Sequence, residues 1–356
     1  MRSLALLCIG ISVLTSVSHA QNAADAAWQH LQELNTKTYE KVPIGVNAAE
    51  FYAVRRKMLH DAVVGFVKQF PNDVHEPEAM LWKIATTDFP ESAGLRIALI
   101  RENELDGKTI INNPALPENL RYDVQRTILT QWLDNPDLIT APDQAADLEE
   151  RIASLIEKNP AEPRIISFQL ARADLLLRFD HAKGMAILEN LMKAPDQNLA
   201  DAAKRRLLKA EMIGKPVDIR FTATDGSTVD TQALRGMVVL VDFWASWCPD
   251  CIREMPTVRK TYQKYQDKGL SIIGISLDKD EQALANFVAK KLIPWPQYFD
   301  GKGWETELAT KYAVRAIPEM WLINQEGAVV STEVPIEQLD QKIGELLGVG
   351  DKLSRN

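Results

Sequence analysis

Two cysteines separated by two residues, in Cys248-Pro249-Asp250-Cys251, are the part of this sequence best suited to chemistry. On the first turn of a helix that spacing brings two sulfurs close enough to close a disulfide and open it again. The first cysteine then lies at the helix N-terminus, where free N–H groups and the helix dipole favour a thiolate. The second lies one turn in and is expected to be more covered. That asymmetry supplies a nucleophilic thiol and a resolving thiol, the two roles of thiol–disulfide exchange. Pro249 and Asp250 fill the space between the sulfurs and tune the couple. The negative charge of Asp250 makes Cys248 a poorer thiolate and so shifts the pair toward reducing power. A zinc half-site is the competing use of such spacing, but zinc needs four ligands. No second close cysteine pair exists, and His30, His60, His75 and His181 all lie far upstream.

Two carboxylates stand close in sequence to the cysteines. Asp242 interrupts the apolar run MVVLVDFW (237–244), six residues before Cys248. A carboxylate in a buried strand is costly unless paired, so burial is expected to raise its pKa. It could then take or return the proton of Cys251 near neutral pH. Glu254 stands one helical turn past Cys251, either as a second proton-handling acid or as a solvated helix charge. Trp247 is expected to flank the cysteines. Trp244, Trp295 and Trp304 fit either the core or the rim of the site.

The elements that position these residues follow from periodicity. MVVLVDFW and LSIIGISL (270–277) read as buried central strands, each followed by a helical pattern, to about Lys268 and over 280–291. Asp225-Gly226 between β-prone residues signals a hairpin. Met320–Ile323 reads as a further strand, Glu326-Gly327 as a turn, and 336–347 as a closing helix. Ile293-Pro294-Trp295-Pro296 with Gly301-Lys302-Gly303-Trp304 reads as a loop insertion beside the site. Alternating strands and helices imply an α/β sheet covered on both faces.

Upstream, residues 22–213 read as helix after helix, broken by short Pro/Asp/Asn segments. Phe51, Val54, Met58, Ala62 and Phe66 follow helical spacing; so do Ile152, Leu155 and Ile156, then Ile166, Leu170, Ala173 and Leu177. The step from Pro160 to Pro195 is close to a tetratricopeptide period, although one interval makes no array. Gly214-Lys215-Pro216 ends the helical part. The expected division is therefore a leader at 1–20, an all-helical, TPR-like domain at 22–213 and an α/β domain at 216–349. Two domains suit a chain of 356 residues.

The leader reads as an export signal: Arg2, the apolar run Leu4–Leu14, and small residues at Ser18 and Ala20. The run is shorter than the roughly 20 residues that a spanning helix needs. Cleavage after Ala20 removes Cys8 and leaves only Cys248 and Cys251, so the pair is not one staple of a larger disulfide framework. The expected location is the periplasm or the exterior, with membrane anchoring if the signal stays uncleaved. The net charge of −8 excludes general nucleic-acid binding, which needs a clustered basic face.

Residues 216–349 resemble the thioredoxin superfamily, specifically its exported TlpA/ResA-like branch. The resemblance rests on Leu234-Arg235-Gly236, on Asp242-Phe243-Trp244-Ala245-Ser246-Trp247-Cys248, on Arg253-Glu254-Met255-Pro256 and on Val314-Arg315-Ala316-Ile317-Pro318. A peroxidase of the peroxiredoxin type is excluded by its own motif, which would place Pro and Thr where Val241 and Ala245 stand. The resemblance implies a thioredoxin-like fold and a protein-disulfide oxidoreductase, more reductant than oxidant. It implies that Cys248 attacks and Cys251 resolves, that Asp242 is the superfamily's buried acid, and that Glu254 is the acid this branch keeps near its cysteines. It also implies that Pro318 is the cis-proline that leaves the backbone of Ile317 open to an extended substrate. Many relatives are neutral where Asp242 stands and carry Pro where Asp250 stands, so both positions depart from the pattern. No metal or organic cofactor is expected, since the dithiol carries the electrons. The implied partners are protein disulfides and a membrane electron donor, with a role in cytochrome c maturation. A second reading makes the helical domain a partner-binding or self-associating module, whose attached redox domain protects or isomerises that partner's cysteines.

Overall fold

The computed structural model describes residues 4–43, 45–160 and 162–349, with residues 4–20 as backbone only. The export signal expected at 1–20 therefore lies, in its side chains and its first three residues, outside the described residues. Among the described residues, no helix is long and apolar enough to cross a membrane. The chain divides into two compact units between Phe179 and Asp180.

The first unit is helical: α1 (Leu4–Thr38), α2 (Ala48–Gln69), α3 (Glu76–Ala85), α4 (Ala93–Ile111), α5 (Glu118–Leu133), α6 (Pro142–Lys158) and α7 (Ile165–Phe179). Asn47 caps α2 by accepting from the N–H groups of Ala49 and Glu50, which satisfies donors that the helix itself leaves open. Trp28 stacks between His75 and Trp82 at 4.7 and 4.8 Å. The face of α2 turned to this core is Leu59, Val63 and Phe66, whereas Val54 and Met58 are exposed. Of the expected stripe, Phe66 is thus buried and Ala62 packs against this core, while Val54 and Met58 lie outside it, because α2 carries apolar residues on more than one side. In α6 and α7 the expected Ile152, Leu155, Leu170 and Ala173 are buried.

The second unit begins with a helix pair, α8 (His181–Leu191) and α9 (Gln197–Met212), capped by Asp180 and Asp196. The helices end at Met212, close to the expected Gly214, but α8 and α9 belong to the compact unit of the strands. The step from Pro160 to Pro195 spans α7 and α8, which lie in different units.

The strands follow. A two-stranded hairpin of β1 (Arg220–Thr222) and β2 (Thr228–Asp230) precedes the main sheet. That sheet has β3 (Val238–Trp244), β4 (Leu270–Ser276), β5 (Gln297–Tyr298), β6 (Glu319–Ile323) and β7 (Val329–Ser331) in the order β5-β4-β3-β6-β7. β3 and β4 are parallel, as are β4 and β5; β6 and β7 run antiparallel. The remaining helices are α10 (Pro249–Tyr265), α11 (Glu281–Lys291), α12 (Glu307–Lys311) and α13 (Leu339–Leu346). Every residue of β3 is buried, as its near-continuous apolar sequence demands of a central strand. The segment read as a loop insertion supplies edge strand β5 instead, and Trp295 is buried there. The unit has a thioredoxin-like α/β architecture with α10 leaving the C-terminal end of the central strand.

Candidate active site

Cys248 is the N-cap of α10, and Pro249 occupies the helix's first position, where its missing N–H costs nothing. The sulfurs of Cys248 and Cys251 are joined, with Cα atoms 5.3 Å apart. Cys248 Sγ also accepts from the Cys251 N–H at 3.1 Å, so the helix terminus directs a donor at this sulfur, an arrangement that would favour its thiolate. Exposure does not distinguish the two cysteines: they are 4% and 3% exposed in the oxidised state. The expected asymmetry lies in the N-cap geometry, not in cover.

The Ile317–Pro318 peptide is cis. The Ile317 carbonyl oxygen lies 3.8 Å from Cys248 Sγ. Among the described residues the Ile317 N–H has no backbone hydrogen bond, and both Ile317 and Pro318 are half-buried. Trp247 is 51% exposed and Trp304 is 38% exposed, with ring centroids 6.2 Å apart, beside the disulfide. Trp244 and Trp295 belong to the core.

Asp242 pairs in register with Gly274 on β4 and Met320 on β6 and is buried. Its carboxylate has no hydrogen-bond partner among the described residues. Burial, and secondarily the charge of Glu254, push its pKa up to about 7. Burial also raises the pKa of Glu254, with Glu337 and Asp250 adding to the effect and Arg253 opposing it. Burial and the charge of Glu254 thus favour the protonated form of Asp242 and bring it into the range useful for proton transfer at neutral pH. Asp250 forms an ion pair with Arg253 at 2.7 Å, both side chains being well exposed. The charge that Asp250 presents toward the cysteines is thereby partly offset.

Three supports of the site carry no local signal in sequence. Asp278, buried just beyond β4, accepts from the Ser246 N–H at 3.0 Å, from Ser246 Oγ at 2.6 Å and from Ser276 Oγ at 2.8 Å. It thereby pins the turn between β3 and Cys248. Gln297 on β5 accepts from Trp244 Nε1 at 2.9 Å and donates to the Trp295 carbonyl at 3.0 Å. That buried amide occupies the space above Gly274, where a Cβ would come within 2.1 Å of its oxygen. Glu319, directly after Pro318, is the third.

A dithiol at the junction of a central parallel strand and a helix, facing a cis-proline, defines a thioredoxin-like redox domain. The Redoxin family model matches residues 198–347. The thiol-disulfide oxidoreductase ResA of Bacillus cereus is 35% identical over 136 residues, 38% of this chain and 76% of that protein. ResA of Bacillus subtilis is 28% identical over 107 residues, 30% of this chain and 58% of that protein. Among solved structures, the thioredoxin domain of a thiol-disulfide oxidoreductase from Bacteroides vulgatus shares 27% identity at a TM-score of 0.35, covering 38% of this chain and 97% of its own. The chain belongs to the ResA-like thiol-disulfide oxidoreductases of the thioredoxin superfamily. It is a thiol–disulfide oxidoreductase, as the motifs around Cys248 implied.

Proposed function

We propose that the protein is exported and reduces disulfides in other proteins through Cys248 and Cys251. The observation that carries this reading is the approach of Cys248 Sγ to the backbone of Ile317, whose N–H has no backbone partner. An extended substrate segment can add to that backbone by strand-like pairing, which sets its disulfide in line with Cys248. The Cys248 thiolate attacks one substrate sulfur, forming a mixed disulfide and expelling the other as a thiolate. The Cys251 thiol then loses its proton to Asp242, and its sulfur attacks Cys248 Sγ. The Cys248–Cys251 disulfide forms, the second substrate sulfur leaves as a thiolate, and two electrons have passed to the substrate. A dithiol donor on the same side of the membrane reverses the sequence and restores the enzyme.

Glu254 adjusts Asp242 by its charge, Pro249 and Asp250 set the potential, and Trp247 gives the substrate an apolar surface beside the sulfurs. The export signal read at 1–20 supports a location outside the cytoplasm. The test is insulin reduction by the full chain with a chemical dithiol as donor. Catalysed precipitation of the insulin B chain that is lost in Cys248→Ser supports the reading. Equal rates with and without the protein would end it.

A further inference from the structure

Glu319 is an almost wholly buried carboxylate next to the cis-proline, and disulfide exchange gives it no use. Its side chain is 6% exposed. One oxygen accepts from Trp321 Nε1 at 2.7 Å and the other from Lys209 Nζ at 2.8 Å. Lys209 belongs to α9, 110 residues away in sequence, and is itself only 15% exposed. Its ammonium also reaches Glu333 Oε1, beyond β7, at 3.2 Å.

The segment after α9 is anchored to the same sheet edge. The Gly214 N–H donates to the Val329 carbonyl at 2.8 Å, and the Val329 N–H donates to the Lys215 carbonyl at 2.9 Å. The ammonium is thus delivered to Glu319 by a helix whose end is tied to β7.

β6 does not need this ion pair for its register, which its ladders with β3 and β7 already supply. Apolar residues of the same size would fill the space without the cost of desolvating two charges. What the pair adds is direction. It holds the backbone at 319 from the α9 side, one residue from Pro318 and two from the carbonyl that approaches Cys248 Sγ.

We propose that Lys209 is a positioning residue: through Glu319, α9 sets the Ile317–Pro318 turn against Cys248 and so governs the enzyme's affinity for extended polypeptide disulfides. Small disulfides, which need no strand-like pairing, do not depend on it. The inference rests on the reading of Ile317 as the backbone that pairs with substrate.

The experiment uses the full chain and its Lys209→Met, Lys209→Arg and Glu319→Gln variants. Each is assayed with insulin and with a small aromatic disulfide, and each is checked by circular dichroism. Because small misplacements of a bound segment are costly, Lys209→Met should raise KM for insulin about tenfold with kcat little changed. Its rate on the small disulfide should stay within about twofold of the parent. Lys209→Arg should restore most of the affinity. An insulin KM unchanged in folded Lys209→Met overturns the proposal, and so does an equal loss on both substrates. Should Lys209→Met fail to fold, Glu319→Gln keeps a hydrogen-bonding group for Trp321 while removing the charge. It must then show the same selective rise in KM, and a normal KM overturns the proposal. Failure of the parent chain on insulin appears before any variant is made; that result sinks the functional reading and this inference with it.

Discussion

Replacing Asp242 by Asn should stabilise the protein, and by an amount that depends on pH in a specified direction. Asparagine matches the protonated carboxyl in size and charge, so the substitution removes only the cost of ionising a buried acid. The ordinary pKa is 3.8, and in the fold burial first and Glu254 second raise it to about 7. At 1.36 kcal/mol for each pH unit, that rise corresponds to roughly 4 kcal/mol. The sign follows from proton counting. Between those two values the folded chain holds a proton that the unfolded chain has released. The contribution of Asp242 to stability is therefore greatest below about pH 4, declines between about pH 4 and 7, and is flat above that. Asp242→Asn should lie within about 1 kcal/mol of the parent near pH 4 and gain about 4 kcal/mol by pH 8, taken as an upper bound. The assay is denaturant unfolding of the oxidised full chain at several pH values, with hydrogen exchange of the β3 amides reporting on the second unit. A variant no more stable than its parent at pH 8 would mean that Asp242 is ionised and paired in the fold, which refutes the reasoning.

The remaining predictions concern its neighbours. Glu254→Gln removes the second cause of the Asp242 shift, so the parent's decline in stability should move to lower pH; an unmoved midpoint denies the coupling. Asp250→His should raise the reduction potential measured against glutathione, by roughly 30 mV given the offsetting Arg253 pair. An unchanged or lower potential would contradict the electrostatic account of that position. Gly274→Ala drives a Cβ into the Gln297 amide, and overpacking of this kind should cost about 2 kcal/mol in urea unfolding. A loss below about 0.5 kcal/mol would show that Gln297 gives way freely.

Legibility in the sequence followed the range of the interaction concerned. The strand MVVLVDFW and the motif Cys248–Cys251 are local, and their fold class and chemistry could be read directly. Asp242 could be singled out because one carboxylate among seven apolar residues is anomalous wherever the strand is buried. Glu319 carried no such mark, since its meaning comes from Lys209, 110 residues away. Asp278 and Gln297 were missed for the same reason: each acts on a turn or strand brought near only by the sheet. Helical periodicity located α2 and placed Phe66 on its buried face, but it misplaced Val54 and Met58, because Leu59 and Val63 take the core positions instead. Composition likewise marked the change from helix to strand at Gly214, while the compact units divide before α8. Nothing local in α8 or α9 says which core they join.

The assignment of unequal roles to two equally buried cysteines is the centre of the account, and trapping the mixed disulfide tests it most directly. Reduced Cys251→Ser and Cys248→Ser variants are each mixed with a protein disulfide, quenched with acid and analysed by mass spectrometry. Cys251→Ser should accumulate a covalent adduct through Cys248, and Cys248→Ser should form none at a comparable rate. An adduct that builds up on Cys251 in Cys248→Ser, with none in Cys251→Ser, would contradict the account.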